Sequence, residues 1–246
     1  MDDVTEPPPA TVRQLPPYDH LAVVTAHPDD ETFGLGALVS TFVASGTRVS
    51  LVCLTCGESS SLGAGDDLAD RRTRELACAA RRLGIEQVVL HHHRDGALDS
   101  VPLDRLVADI LAVATDADAL LTFDHGGITG HPDHQHATDA AVAAARHLDV
   151  PVLGWAIPEA VADALAQEYG AGFVGRAEPE IDLVVAVDRG GQLDAMVCHG
   201  SQLADNPVPR RRIDLQGDLE HLRYLDRPAT IDRPEPARTA PTGEPR

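Results

Sequence analysis

The chain of 246 residues contains no lysine: all 20 of its basic residues are arginine, against 39 Asp and Glu, giving a formal net charge of −19. Phosphate backbones and anionic bilayers are bound by clustered cations, so this balance argues against nucleic acid or a membrane as the main partner. Aromatic residues make up only 3%, which implies an aliphatic core of Leu, Val and Ala. No run approaches the ~20 apolar residues needed to cross a bilayer. The N-terminus, MDDVTEPPPA, has two acids where a secretory signal carries positive charge, and no apolar stretch follows. The chain is therefore expected to be cytoplasmic. Cysteine is sparse too. Four of them (Cys53, Cys56, Cys78 and Cys198) in a chain this long are not expected to form a disulfide framework. Cys53 and Cys56 lie in the run SLVCLTC, a predicted strand rather than a helix N-terminus, and read as buried thiols.

What is present is an ordinary globular composition, 43% hydrophobic. A chain of 26.1 kDa can bury roughly 70–75% of its unfolded surface, enough for one sizeable core. Residues 1–17 and 227–246 hold five prolines each and no apolar periodicity. Both read as flexible tails around a single domain at 18–226.

Within that domain, short apolar runs recur: LAVVTA (21–26), VSLVCLT (49–55), QVVLHH (87–92), ALLTF (119–123), VLGWA (152–156) and LVVAV (183–187). Helical spacing fills several of the gaps. Leu35, Leu38, Val39, Phe42 and Val43 fit one helix face, with Gly46 as the stop, and Leu103, Leu106, Val107, Ile110 and Leu111 repeat the pattern. The segment 66–83 opens with acids and ends in Arg-Arg-Leu before Gly84, as the helix dipole and a Gly C-cap favour. Continuous apolar strands mean a sheet covered on both faces. The expectation is an α/β, Rossmann-like three-layer sandwich with a mostly parallel sheet. Its active site would lie at the C-terminal ends of the strands.

Two motifs fall at such ends: Ala26-His27-Pro28-Asp29-Asp30-Glu31 after the first run, and Gly130-His131-Pro132-Asp133-His134 after ALLTF. A single His or Asp at a strand end is ordinarily a helix cap or a surface residue. Two His-Pro-Asp motifs at equivalent places are costly in polar residues unless they hold a ligand. His27-x-x-Asp30 with one later His gives three ligands and open positions, the form of a catalytic zinc site rather than a closed structural one. Such a set favours Zn or Fe(II) over Mg or Ca. Spacing alone does not say which of His131 and His134 is the ligand.

These motifs resemble the LmbE-like (PIG-L) zinc-dependent N-deacetylases. The resemblance extends to Thr55-Cys56-Gly57-Glu58-Ser59, to the Arg-rich segment 71–84, to Arg94-Asp95-Gly96 and to His199-Gly200-Ser201-Gln202, covering roughly residues 20–205. It implies His27, Asp30 and His134 as metal ligands, Asp29 as general base and His131 as general acid. It also implies Asp133 hydrogen-bonded to His131, and Arg72, Asp95, Glu58 and His199 as substrate-binding residues. Thr129 departs from relatives that carry Tyr there, so a specific thiol-cofactor sugar is not implied.

The implied reaction is hydrolysis of an N-acyl bond, with N-acetyl the expected group, on an amino sugar or related polar metabolite. The cofactor would be Zn2+, with Fe2+ compatible with the same site. Amide hydrolysis needs a polarised acyl oxygen, a base for water and an acid for the departing amine, and the motifs offer all three. An amidase acting on a cysteine or thiol conjugate is the nearest alternative. A non-haem Fe(II) oxygenase fits the α/β alternation poorly, and a non-catalytic metal- or carbohydrate-binding protein would not need Asp29 and His131. The expected partner is a small N-acylated molecule, and homo-oligomerisation is compatible with the sequence.

Overall fold

The computed structural model describes residues 12–63, 65–170 and 172–228. Residues 1–11 and 229–246, most of the two proposed tails, lie outside the described residues. The boundary drawn at residue 18 is too late, because β1 (Val12–Arg13) already joins the sheet beside Val184 and Val185.

The first half runs β2 (His20–Thr25), α1 (Asp30–Phe33), α2 (Gly36–Ala44), β3 (Arg48–Thr55), α3 (Leu68–Leu83), β4 (Gln87–His93) and α4 (Leu103–Leu111). After it come β5 (Ala119–Phe123), a single turn α5 (Gly127–Gly130), α6 (Pro132–Leu148), β6 (Val152–Pro158), α7 (Glu159–Tyr169) and β7 (Gly175–Arg176). The chain ends with β8 (Leu183–Ala186), α8 (Gly190–Met196), α9 (Gly200–Leu203), α10 (Val208–Gln216) and β9 (Leu219–Asp226). Strand order is β1-β8-β9-β6-β5-β2-β3-β4, with β7 beside β6. Every described pairing is parallel except those of β9 with β6 and β8.

Alternation along β2 shows how the layers form. Leu21 and Val23 point to one face, where α2, α3, α7 and α8 pack; Ala22 and Val24 point to the other, against α4 and α6. Both faces are covered at the middle of the sheet, so β2, β5 and β6 are buried almost throughout. The carboxyl ends of β2, β3, β4, β5 and β6 then open along one rim.

Two sequence expectations need revision. Strand β9 reads Leu-Glu-His-Leu-Arg-Tyr-Leu-Asp, without the apolar run that marks β2, β3, β5, β6 and β8, and it carries the fully buried Glu220. Cys78 on α3 and Cys198 just after α8 form a disulfide, so the four cysteines are not all thiols. A separation of 120 residues hides that proximity, which arises because α3 and α8 pack side by side. Cys53 and Cys56 are free and buried.

Candidate active site

The first motif leaves β2 and turns at once into α1. Asp29 sits at φ 120°, ψ −27°, a conformation costly for a residue with a Cβ and kept only where the surroundings fix it. Three contacts do so. The Asp29 N–H donates to Glu31 Oε2 at 2.9 Å, its carbonyl accepts from Thr32 and Phe33, and its Oδ2 lies 3.1 Å from Arg72 Nη2. Arg72 comes from α3, is 3% exposed, and also donates to Gly57 O at 2.7 Å and to Pro28 O. Gly57, at φ +64°, has no room for a Cβ, which would run into that guanidinium.

His27, Asp30 and His134 converge, each offering one ligand atom within 4.8 Å of the others. His27 Nδ1 faces His134 Nε2 at 3.2 Å, and His134 Nε2 is 3.1 Å from Asp30 Oδ1. The opposite ring atoms fix the tautomers. His134 Nδ1 donates to Gly127 O at 3.0 Å. His27 Nε2 donates toward Asp95 Oδ1 at 3.0 Å and Asp133 Oδ2 at 3.3 Å. Both inward nitrogens are thereby left as lone pairs, the arrangement of metal-ligating histidines backed by carboxylates or carbonyls.

The electrostatics call for a cation here. Burial opposes charge on His27, but the Asp133, Asp95 and Asp30 carboxylates outweigh it and push its pKa up to about 10. Asp30 is held well below the carboxylate range, since the His134 and His27 imidazoles more than offset burial. Asp29 goes the other way: burial, against the pull of Arg72, pushes it up to about 6. Four carboxylates (Asp29, Asp30, Asp95 and Asp133) thus surround the imidazoles, and among these residues Arg72 is the one permanent cation. A divalent ion fits both the donor set and the charge deficit.

The second motif differs from expectation. The Asp133 carboxylate does not bond His131. It accepts from Gly96 N at 2.7 Å and Leu98 N at 3.1 Å, and it supports His27. His131 is instead the N-cap of α6, its Nδ1 accepting from the Asp133 N–H at 3.2 Å. On a helix, residues two apart do not face each other, so the side chains of 131 and 133 diverge. Nor is His131 tuned upward: burial and the His27 and His134 imidazoles together lower its pKa despite Asp133.

A cavity of about 560 Å³ opens over this centre, lined by His27, Asp29, Asp30, Arg72, Asp95, His131 and His134. Two expected substrate residues fall outside it. His199 is fully buried; its Nε2 is 2.6 Å from Glu31 Oε1, and Glu31 Oε2 in turn accepts from Asp29 N. Glu58 is exposed and accepts from Asp95 N at 3.0 Å. His93 turns away to Asp109 at 2.7 Å. Ser59 and Gln202 end two of the motifs, but the motifs do not mark the rest of the lining: polar Ser60, Ser61 and Asn206, and apolar Phe33, Phe123, Ile128, Trp155 and Phe173.

Comparison with known proteins identifies the family and the fold. The family described as PIG-L: GlcNAc-PI de-N-acetylase matches residues 22–145, about half of the chain and the part that carries both His-Pro-Asp motifs. The chain belongs to this family. Among its relatives is the 1D-myo-inositol 2-acetamido-2-deoxy-alpha-D-glucopyranoside deacetylase of Streptomyces avermitilis, 32% identical over 52% of this chain and 53% of that protein. The enzyme of the same name from Mycolicibacterium vanbaalenii is 34% identical over 59% of this chain and 62% of its own length. The PIG-L chain therefore matches less than two thirds of each. The N,N'-diacetylchitobiose deacetylase of Pyrococcus horikoshii superposes with a TM-score of 0.62 at 19% identity, covering 85% of this chain and 84% of that one. The 4-carboxy-2-hydroxymuconate hydratase of Pseudomonas putida superposes as well, at 0.63 and 16% identity over 87% and 99%. The PIG-L fold thus hosts more than one reaction, and function must be argued from the site. No described helix is long and apolar enough to cross a membrane.

Proposed function

We propose that this PIG-L protein is a metal-dependent hydrolase that removes an N-acyl group from an amino sugar or related polar metabolite. The observation that carries the reading is the convergence of His27, Asp30 and His134 with Asp29 held beside them but turned to Arg72. The relatives' names, deacetylases of an acetamido sugar, point the same way.

His27, Asp30 and His134 would hold the ion, Zn2+ in our reading, with Fe2+ accommodated by the same donors. When bound, it supplies Lewis-acid polarisation of the acyl oxygen and acidifies water. Asp29 is the base. Its carboxylate lies beside the ligand set but is committed to Arg72, and it takes the proton from water. His131 is the acid. Because Nδ1 accepts the Asp133 N–H, the ring proton sits on Nε2, the atom able to deliver it to the departing amine. The lowered pKa leaves the resting ring neutral, so His131 must first take up a proton, from solvent or from the protonated Asp29, and then delivers it to the amine as the imidazolium, returning to the neutral ring. Asp95 and Asp133 position His27, and Arg72 positions Asp29. Glu58 and His199 act one step further out, on Asp95 and on Glu31. The serines at 59–61 and Gln202 provide hydroxyl and amide groups for a polyol.

The test is release of amine and carboxylate from a panel of N-acetylated sugars and cysteine conjugates by the metal-loaded protein. We expect turnover on at least the sugars, and a loss of about 10² or more in Asp29→Asn. No release across the panel, or full activity in that variant, would contradict the reading.

A further inference from the structure

The chain holds four Phe and a single Trp. Phe42 fills the core beneath α2; the other three, Phe33, Phe123 and Phe173, line the catalytic cavity together with Trp155. A protein that builds its interior from aliphatic side chains has thus placed four of its eight Phe, Trp and Tyr rings around one opening. Three of the four, Phe123, Trp155 and Phe173, come from the β5–β7 part of the chain, beside the Arg212 guanidinium, which lies 5.0 Å from the Trp155 ring centroid. Sheet order runs β6-β5-β2-β3-β4, with the ligand set near β2. Polar groups, Ser59 to Ser61 and Asp95, follow β3 and β4; Phe123 and Ile128 follow β5, and Trp155 is on β6.

Ile128 adds an independent sign. It sits at φ 63°, ψ −48°, a region that a β-branched residue occupies only under constraint and that marks ligand sites when it does. Gly126, Gly127 and Gly130 surround it and would adopt such angles freely, yet the strained position carries an isoleucine. Val174 N donates to its carbonyl at 2.6 Å, which ties this loop to the segment bearing Phe173. Ile128 and Phe173 are both only half-buried, leaving apolar surface open to the cavity.

We propose that this wall is an acyl subsite, and that the substrate is an amino polyol whose nitrogen carries an unbranched acyl chain several carbons longer than acetyl. The inference rests on the N-deacylase reading and names its substrate. Across an amide carbonyl, the amine and the acyl substituent point in opposite directions. With the amine and its hydroxyls placed on the serine side, the acyl chain extends toward Phe123, Ile128, Trp155 and Phe173. In the reaction the oxygen of water bonds to the acyl carbon and the C–N bond breaks. The nitrogen takes a proton, giving a medium-chain carboxylate and a free amine.

Two readouts test this with N-acetyl-, N-butanoyl-, N-hexanoyl- and N-octanoylglucosamine: kcat/KM for amine release, and affinity from the emission of Trp155, the only tryptophan. Each methylene removed from water contributes roughly fourfold, so hexanoyl should exceed acetyl by at least about tenfold in kcat/KM, mainly through KM. Affinity should follow the same order. Phe173→Ser should flatten the chain-length slope and Phe173→Leu should keep most of it. Acetyl equal to or better than hexanoyl in both readouts overturns the subsite and leaves a deacetylase. A binding gradient without amine release from any compound overturns the hydrolase reading instead. Neither gradient nor release overturns both.

Discussion

Glu220→Gln is expected to destabilise the protein far more than its near-identical shape suggests. Glu220 is fully buried on β9. Its Oε1 accepts from Arg189 Nη1 and, at 2.9 Å, from Arg212 Nη1; its Oε2 accepts from Trp155 Nε1 at 2.6 Å. A glutamine would turn an amide NH2 toward one of these donor groups and withdraw the only carboxylate paired with two buried guanidiniums. Leaving a buried charge uncompensated costs about 3–5 kcal/mol. In a domain of this size each kcal/mol shifts Tm by about 2–4 °C, so the loss at pH 7 should be about 6–20 °C. Although burial opposes it, the pull of Arg212 and Arg189 lowers the Glu220 pKa from 4.5. A depressed folded-state pKa gives stability that is present above the unfolded value and lost as pH falls through the folded one. The gap between wild type and variant should therefore narrow as pH drops below about 4.5. Differential scanning calorimetry at several pH values reads both effects. A Tm within about 2 °C of wild type at pH 7 would refute the idea that this cluster depends on its charge. The cluster also bears on the cavity, because Arg212 donates to Phe33 O at 2.6 Å and lies 5.0 Å from the Trp155 ring centroid. Trp155 emission should change with the variant.

Arg72→Lys should lower kcat/KM at least about tenfold while metal content stays level, because one ammonium cannot replace a planar fork that spans Gly57, Pro28 and Asp29; unchanged kinetics would count against its positioning role. The His199 pKa is raised by the Glu31 carboxylate against the opposing effect of burial. Its contribution is thus complete below the ordinary histidine value and is lost as pH rises through the folded-state value, so thermal melts should show an alkaline decline that His199→Gln lacks. Removing the disulfide, which joins residues 120 apart, with Cys78→Ser should cost about 2–5 kcal/mol; a urea midpoint equal to that of the oxidised protein would contradict the contribution assigned to it.

The fold and the centre of the site were legible for the same reason: both are written in short consecutive stretches. Apolar runs at regular intervals gave the parallel strands, and His27 to Asp30 bring two of the proposed ligands and the neighbouring carboxylate together from one turn. What depends on distant elements was not legible. Asp133 stands beside His131 in the chain, yet the first turn of α6 sends its carboxylate to Gly96, Leu98 and His27. His199 was expected as a substrate residue because its motif resembles the family's, but the packing of α8 and α9 buries it against Glu31. Strand β9 was missed because Glu220, an inward-facing position, is charged, and only Arg189 and Arg212 from other elements make that tolerable. The aromatic wall draws one or two residues from each of several elements, and no local window contains it.

The division between ligand and base is the centre of the account, and bound metal per chain, measured by elemental analysis of wild type, Asp29→Asn and His134→Ala, tests it most directly. One divalent ion per chain is expected in wild type and in Asp29→Asn, with His134→Ala depleted, because only the latter loses a ligand. Equal metal in wild type and His134→Ala, or loss of metal in Asp29→Asn, would contradict it.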